Sequence, residues 1–158
     1  MIDQSFVGQM GWIMAGSLYK VVITDTYMLK RMDIMNDDDL SEYLEENSDY
    51  LKSEDLNLGL IKIIISNTTD DEITVDLTAF HIESGAFSLQ FYYPLVMYYN
   101  DCGMYIKLSK GEQKTFIAPV PISSEQFLNY DSTDIRNRTY YLVSSLYPQK
   151  IMSEVKFN

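Results

Sequence analysis

An all-β fold, an antiparallel sandwich or barrel interrupted by one helix, is what this sequence predicts, and three observations carry it. Short runs of alternating apolar residues recur along most of the 158-residue chain, separated by clusters of turn-forming residues. The strongest pair lies within residues 60–82, LIKIIISNTTDDEITVDLTAFHI, where β-branched side chains dominate. One acidic stretch, residues 33–58, breaks the pattern: it holds neither glycine nor proline and spaces its leucines for a helix.

Taken in order, residues 1–17 are expected to form an N-terminal arm, broken by Gly8, Gly11 and Gly16 and anchored through Trp12 and Ile13. Residues 18–32, LYKVVITDTYMLKRM, predict one strand, or two separated by a bend near Asp25, with Val21 and Ile23 facing the core. Within the acidic insertion the spacing predicts a helix over 39–52. Asp39 and Glu42 resemble a capping box, and Leu40, Tyr43, Leu44 and Leu51 lie near one face.

In the 60–82 block, Ile61, Ile63 and Ile65 share one strand face. Ile73, Val75, Leu77 and Ala79 share another, opposite Thr74, Asp76 and Thr78. Residues 66–72, rich in Asn, Thr and Asp, read as the turn of a β-hairpin between them. After a turn at Gly85, Phe87, Leu89, Phe91 and Tyr93 predict a strand face, with Pro94 as an edge position or a break. Residues 105–108 and 115–120 predict short strands joined through 109–112 as a second hairpin, ended by Pro119 and Pro121. Residues 122–138 are irregular, and 140–146 with 151–157 predict a last pair of strands around Pro148.

The length suits a single domain spanning 1–158, with a core that needs neither disulfide nor metal, since roughly 70% of the unfolded surface is buried at this size. Hydrophobic residues make up 46% and aromatics 13%, a globular composition. The net charge of −11, with only 12 Lys and Arg, argues against nucleic acid and against anionic membrane surfaces. Cys102 is the only cysteine, so no intrachain disulfide forms. No apolar run is long enough to span a membrane, and the first lysine, Lys20, comes too late for a signal peptide's basic start.

Two stretches carry a family resemblance. GLIKIIISNTTDDEITVDLTAFHI and IKLSKGEQKTFIAPVPI are similar to strand–turn–strand blocks of bacterial immunoglobulin-like domains. The pattern resembles the telokin-like domains of unknown function carried by Gram-positive lipoproteins and cell-surface proteins. It covers residues 58–157, with 18–25 as the first strand. The resemblance implies an immunoglobulin-like antiparallel β-sandwich bearing one inserted acidic helix. It also implies an extracellular or cell-surface location, anchored through an N-terminal segment that precedes this sequence. It transfers no catalytic residue.

Candidate sites are weighed on their chemistry. His81, the only histidine, has no G-x-S-x-G nucleophile motif to serve, and a half-buried structural role suits it better. One His and one Cys cannot make a zinc site. Asn36, Asp37, Asp38 and Asp39, like Asp70, Asp71 and Glu72, offer oxygen ligands for calcium. Neither run has the central glycine and distal glutamate of an EF-hand loop, and a helix N-terminus and a solvated turn explain them as well. No cofactor is expected. The tyrosines remain. Tyr92, Tyr93, Tyr98, Tyr99 and Tyr105 are expected to lie on strands whose alternation forces some rings outward into a binding face. Two function classes follow: a non-catalytic binding module for a protein or polysaccharide partner, which the scarcity of His and Cys favours, and a carboxylate-based hydrolase.

Overall fold

The computed structural model describes residues 18–47, 56–123, 135–145 and 151–157. The expected N-terminal arm, Leu51, Pro148 and the phenylalanine-bearing stretch before residue 135 lie outside these residues. In chain order the described elements are β1 (Tyr19–Lys30), α1 (Arg31–Asn36), α2 (Asp38–Asn47), β2 (Asn57–Asn67), β3 (Ile73–Asp76), β4 (His81–Ser84), β5 (Phe87–Gln90), α3 (Tyr93–Tyr99), β6 (Tyr105–Leu108), β7 (Gln113–Ile122), β8 (Tyr140–Ser145) and β9 (Ile151–Val155). The fold is predominantly β, and every pairing among the described residues is antiparallel. The strands form sheets in the order β1-β2-β7, β3-β6 and β5-β4-β8-β9.

Side-chain alternation on the strands follows the sequence closely. Ile61, Ile63 and Ile65 are fully buried, as are Val75 and Leu77, while Thr74, Asp76 and Thr78 are exposed. β1 is one strand with a bulge between Ile23 and Asp25, the bend the sequence placed near Asp25. The β8–β9 pair forms as expected.

The central hairpin does not. β2 and β3 are both strands, yet β2 pairs with β1 and β7, and β3 pairs with β6. The second expected hairpin fails in the same way, because β6 and β7 lie in different sheets. A single geometric fact explains both corrections. Ser66 pairs with Gln113 at the end of one ladder, and Ile73 pairs with Leu108 at the start of the next. Residues 67–72 and 109–112 are therefore two sides of one corner, where a two-stranded ribbon turns from sheet to sheet.

Asn67 holds that corner. Its main-chain N–H donates to the Glu112 carbonyl at 2.9 Å. Its buried side-chain amide donates to the carbonyls of Asp71 (2.7 Å), Leu108 (3.0 Å) and Ser109 (3.0 Å). Its side-chain oxygen accepts from the Thr69 N–H and hydroxyl, both at 2.8 Å. On the other strand Gly111 takes the left-handed conformation, φ 71°, that the turn demands.

Beyond the corner, β3 stops at Asp76 instead of running to Ala79. The Asp76 carboxylate accepts the Thr78 N–H at 2.9 Å and opens a short 3-10 turn, Leu77–Ala79, which leaves Ala79 exposed. Pro119 and Pro121 lie inside β7 rather than ending it. The Ile117 N–H and the Pro119 carbonyl bond outward, away from β2, so the prolines of the same parity lack only an N–H on the side where the ladder needs none.

The insertion contains α1 as well as α2, and α2 starts earlier than expected. Asp37, not Asp39, caps it, accepting the Leu40 N–H at 3.1 Å. A third helix replaces the expected strand at Tyr93. Pro94 occupies its first turn, where a missing N–H costs nothing.

The three sheets enclose one core that includes Ile61, Ile63, Val75, Ile82, Phe116 and Leu142. A second core lies on the opposite face of β2. There Leu58 and Leu60 meet Ile34 of α1, Leu40 and Leu44 of α2, and Leu95 of α3. β2 is thus covered on both faces over its first half, which is why it reads NLGLIKIIIS rather than as a clean alternation.

Candidate binding surface

The helices decide where the tyrosines go. α3 follows β5 and packs along the open edge of β7. The Tyr92 N–H donates to the Pro119 carbonyl at 2.8 Å. At the other end Asn100 behaves like a strand residue. Its side-chain oxygen accepts the Ile117 N–H, and its amide donates to the Ile117 carbonyl, both at 2.8 Å. That amide also reaches the Val96 carbonyl at 2.9 Å, closing the helix.

Four of the five tyrosines the sequence singled out therefore sit on a helix or at its N-cap, not on a strand: Tyr92 at the cap, and Tyr93, Tyr98 and Tyr99 within α3. A seven-residue helix presents sides, not alternating faces. Leu95 and Val96 point inward, while Tyr93, 62% exposed, and Met97, 51% exposed, share the outer side at i and i+4. Tyr92, Tyr98 and Tyr99 are half-buried against the helical core. Tyr105, 65% exposed, belongs to β6, where it pairs with Asp76; it is no part of this cluster.

Tyr43 completes the cluster. The sequence placed it on the buried stripe of the helix, and the signal for its second role is its polar tip. Its hydroxyl donates to the Pro94 carbonyl at 2.7 Å and so ties α2 to α3. Its ring lies 5.0 Å from that of Tyr98, and Tyr98 lies 5.0 Å from Tyr99 in an edge-to-face arrangement. Partial burial first, and then the carboxylates of Asp37 and Asp39, raise the Tyr98 phenol above its ordinary value. Burial pushes Tyr99 further up, with Tyr98 and Asp37 adding to it. Both rings are neutral at physiological pH and act as apolar surface with a hydroxyl tip.

Elsewhere several titratable groups have structural roles. His81 is half-buried, with Nε2 3.1 Å from Oε1 of Glu83 on the same side of β4. Burial raises the Cys102 thiol, partly offset by Lys114, so it is mostly protonated at neutral pH and a weak nucleophile. Lys114 itself pairs with Asp101 at 3.2 Å. Of the two acidic runs, one supplies the Asp37 cap and the other the exposed Asp70–Lys110 pair at 3.1 Å. Among the described residues no group of three or more His, Cys, Asp or Glu is placed to hold a metal ion.

What the fold and surface define is an antiparallel, mainly β domain with a tyrosine-bearing helical cap on one sheet. The chain belongs to the family described as a domain of unknown function, DUF5028, which matches residues 23–151. No curated protein matches it. Among solved structures the chain is similar to a candidate lipoprotein, ycdA, from Bacillus subtilis, with a TM-score of 0.57 and 14% identity over 88% of this chain. The chain spans 36% of that protein's length. At this identity the likeness concerns the fold. No helix among the described residues is long and apolar enough to cross a membrane.

Proposed function

We propose that this domain is a non-catalytic interaction module of a bacterial surface protein, built on an immunoglobulin-like frame and binding a protein or polysaccharide through its helical cap. The observation that carries the binding role is the exposed Tyr93–Met97 ridge beside the Tyr43–Tyr98–Tyr99 cluster. Two such large side chains on one solvent-facing ridge make up part of the apolar contact area that recognition sites use.

Two features support the immunoglobulin-like frame. The sheets β1-β2-β7 and β5-β4-β8-β9 follow the orders A-B-E and C′-C-F-G of that topology. Tyr140, buried at the start of β8, donates its hydroxyl to the Ile135 carbonyl five residues upstream, as the tyrosine corner of strand F does. The frame lacks the disulfide between strands B and F, because Cys102 is the sole cysteine. The surface location is supported by the lipoprotein description of the structural neighbour.

The test is binding of the fluorescently labelled chain to intact Gram-positive cells. The Tyr93→Ala/Met97→Ala double variant, which alters only exposed side chains, should stay folded by circular dichroism and lose most of the cell-associated signal. Equal binding by both proteins would refute the role of this ridge. Turnover of a cell-wall glycan by the chain, lost on substitution of a carboxylate, would favour the hydrolase instead.

A further inference from the structure

We infer that the α2–α3 seam docks a segment of a partner protein bearing lysine or arginine beside apolar side chains. The inference rests on the interaction-module proposal and names the chemistry of its partner. Asp39, Tyr43 and Glu46 are spaced i, i+4, i+7 and so line one side of α2. That side faces α3, because Tyr43 reaches Pro94 and stacks on Tyr98. Asp39 and Glu46 are exposed, and neither forms an ion pair among the described residues. Asp39 stands one helical turn before Tyr43, on the side of α2 that packs against α3. The Tyr93–Met97 ridge runs next to Pro94 and Tyr98 along α3.

The helical cap therefore brings together carboxylates on the Tyr43 side of α2, half-buried tyrosine rings at the contact with α3, and an apolar ridge on the outer side of α3. A basic side chain laid on it would meet ring faces and a carboxylate together, and cation–π attraction adds to the ion pair. A neutral glycan would stack on the rings and offer hydroxyls to the carboxylates, but would gain neither ion pairing nor cation–π attraction. A second copy of this chain, with net charge −11, would meet like charge at the same place.

The experiment is a ¹⁵N-heteronuclear NMR titration of the full chain with three probes: an amidated hexapeptide alternating lysine and leucine, the same peptide with glutamate for lysine, and a chitin hexasaccharide. The lysine peptide should shift the amides of Tyr43, Tyr93, Met97 and Tyr98 saturably, and more weakly as salt rises. Asp39→Asn/Glu46→Gln should weaken it about tenfold, the scale of losing close charge pairs at a docking site. Asp70→Asn, which removes one charge at the distant corner, should leave it unchanged. Shifts spread over all acidic surfaces, or equal weakening by Asp70→Asn, would mean unspecific charge attraction and overturn the inference. Saccharide shifts at Tyr93 and Tyr98 without peptide shifts would overturn it too, while leaving the interaction-module proposal standing. Silence from every probe would count against both.

Discussion

Replacing Asn67 by leucine removes the group that ties the ribbon's two strands together where they change sheets, while keeping the branched shape and heavy-atom count of the side chain. The side chain has two amide protons and three carbonyl acceptors, so one proton is shared, and its oxygen takes two further donors from Thr69. That amounts to about four hydrogen bonds at roughly 1 kcal/mol net each. The Leu108 contact is buried, whereas those to Asp71 and Ser109 are only partly buried and recover some solvation when vacated. A loss of about 2–4 kcal/mol in urea-unfolding free energy at pH 7 is expected for Asn67→Leu. Asn67→Asp should lose more, because a carboxylate then faces three carbonyl oxygens. The introduced group would have its folded-state pKa raised. Its penalty is thus absent at a pH below the ordinary carboxylate value of about 4 and grows as pH rises through the folded value. Circular dichroism melts of both variants at pH 3.5 and pH 7 separate these effects. A loss below about 1 kcal/mol for Asn67→Leu would show that ladder pairing alone holds the corner.

Ile63→Ala empties a fully buried position of the main core and should cost about 2–5 kcal/mol by chemical denaturation; a loss under about 0.5 kcal/mol would contradict its inward register. Asn100→Ala strips the Ile117 N–H and carbonyl of their partner, and should cost about 1–3 kcal/mol while speeding hydrogen exchange across α3 more than across β4 or β8. Tyr99, whose phenol is raised mainly by burial, favours folding fully below the ordinary phenol value of about 10, and that contribution is lost as pH rises through the folded value. Tyr99→Phe should match the parent protein in urea melts at pH 7 and resist unfolding better above pH 10; an unchanged alkaline midpoint would rule out that linkage.

Side-chain orientation was legible because alternation is local. Thr74 and Asp76 against Ile73 and Val75 need no knowledge of the partner strand. Pairing was not legible, because Asn, Thr, Asp and Gly suit a tight hairpin and a sheet-to-sheet corner equally well. Only the register of β7 against β2 and β6 against β3 tells them apart. The helix at Tyr93–Tyr99 was hidden by its aromatic, strand-like composition. Its burial nonetheless follows a helical period, with Leu95 and Val96 inside and Tyr93 and Met97 outside. The cap at Asp37 rather than Asp39 came down to which of adjacent acids turns back onto the Leu40 N–H, a choice composition leaves open. Of the five tyrosines singled out, the structure gathers Tyr92, Tyr98 and Tyr99 around Tyr43 and leaves Tyr105 apart, since nothing in their spacing separates a helix from a sheet.

The same contacts narrow how recognition can work. A sheet edge binds an extended chain through its free N–H and carbonyl groups, and both edges of β1-β2-β7 are compromised for that purpose. On β7 the outward groups of Ile117 and Pro119 are taken by Asn100 and the Tyr92 N–H. On β1 a bulge interrupts the ladder, and the Thr26 N–H next to it is held by the Asp25 carboxylate at 2.9 Å. At these positions a partner would read side chains rather than main chain. At the helical cap Tyr43 of α2 packs on Tyr98 of α3 while Tyr93 and Met97 face solvent, so the element that closes the edge also supplies exposed side chains.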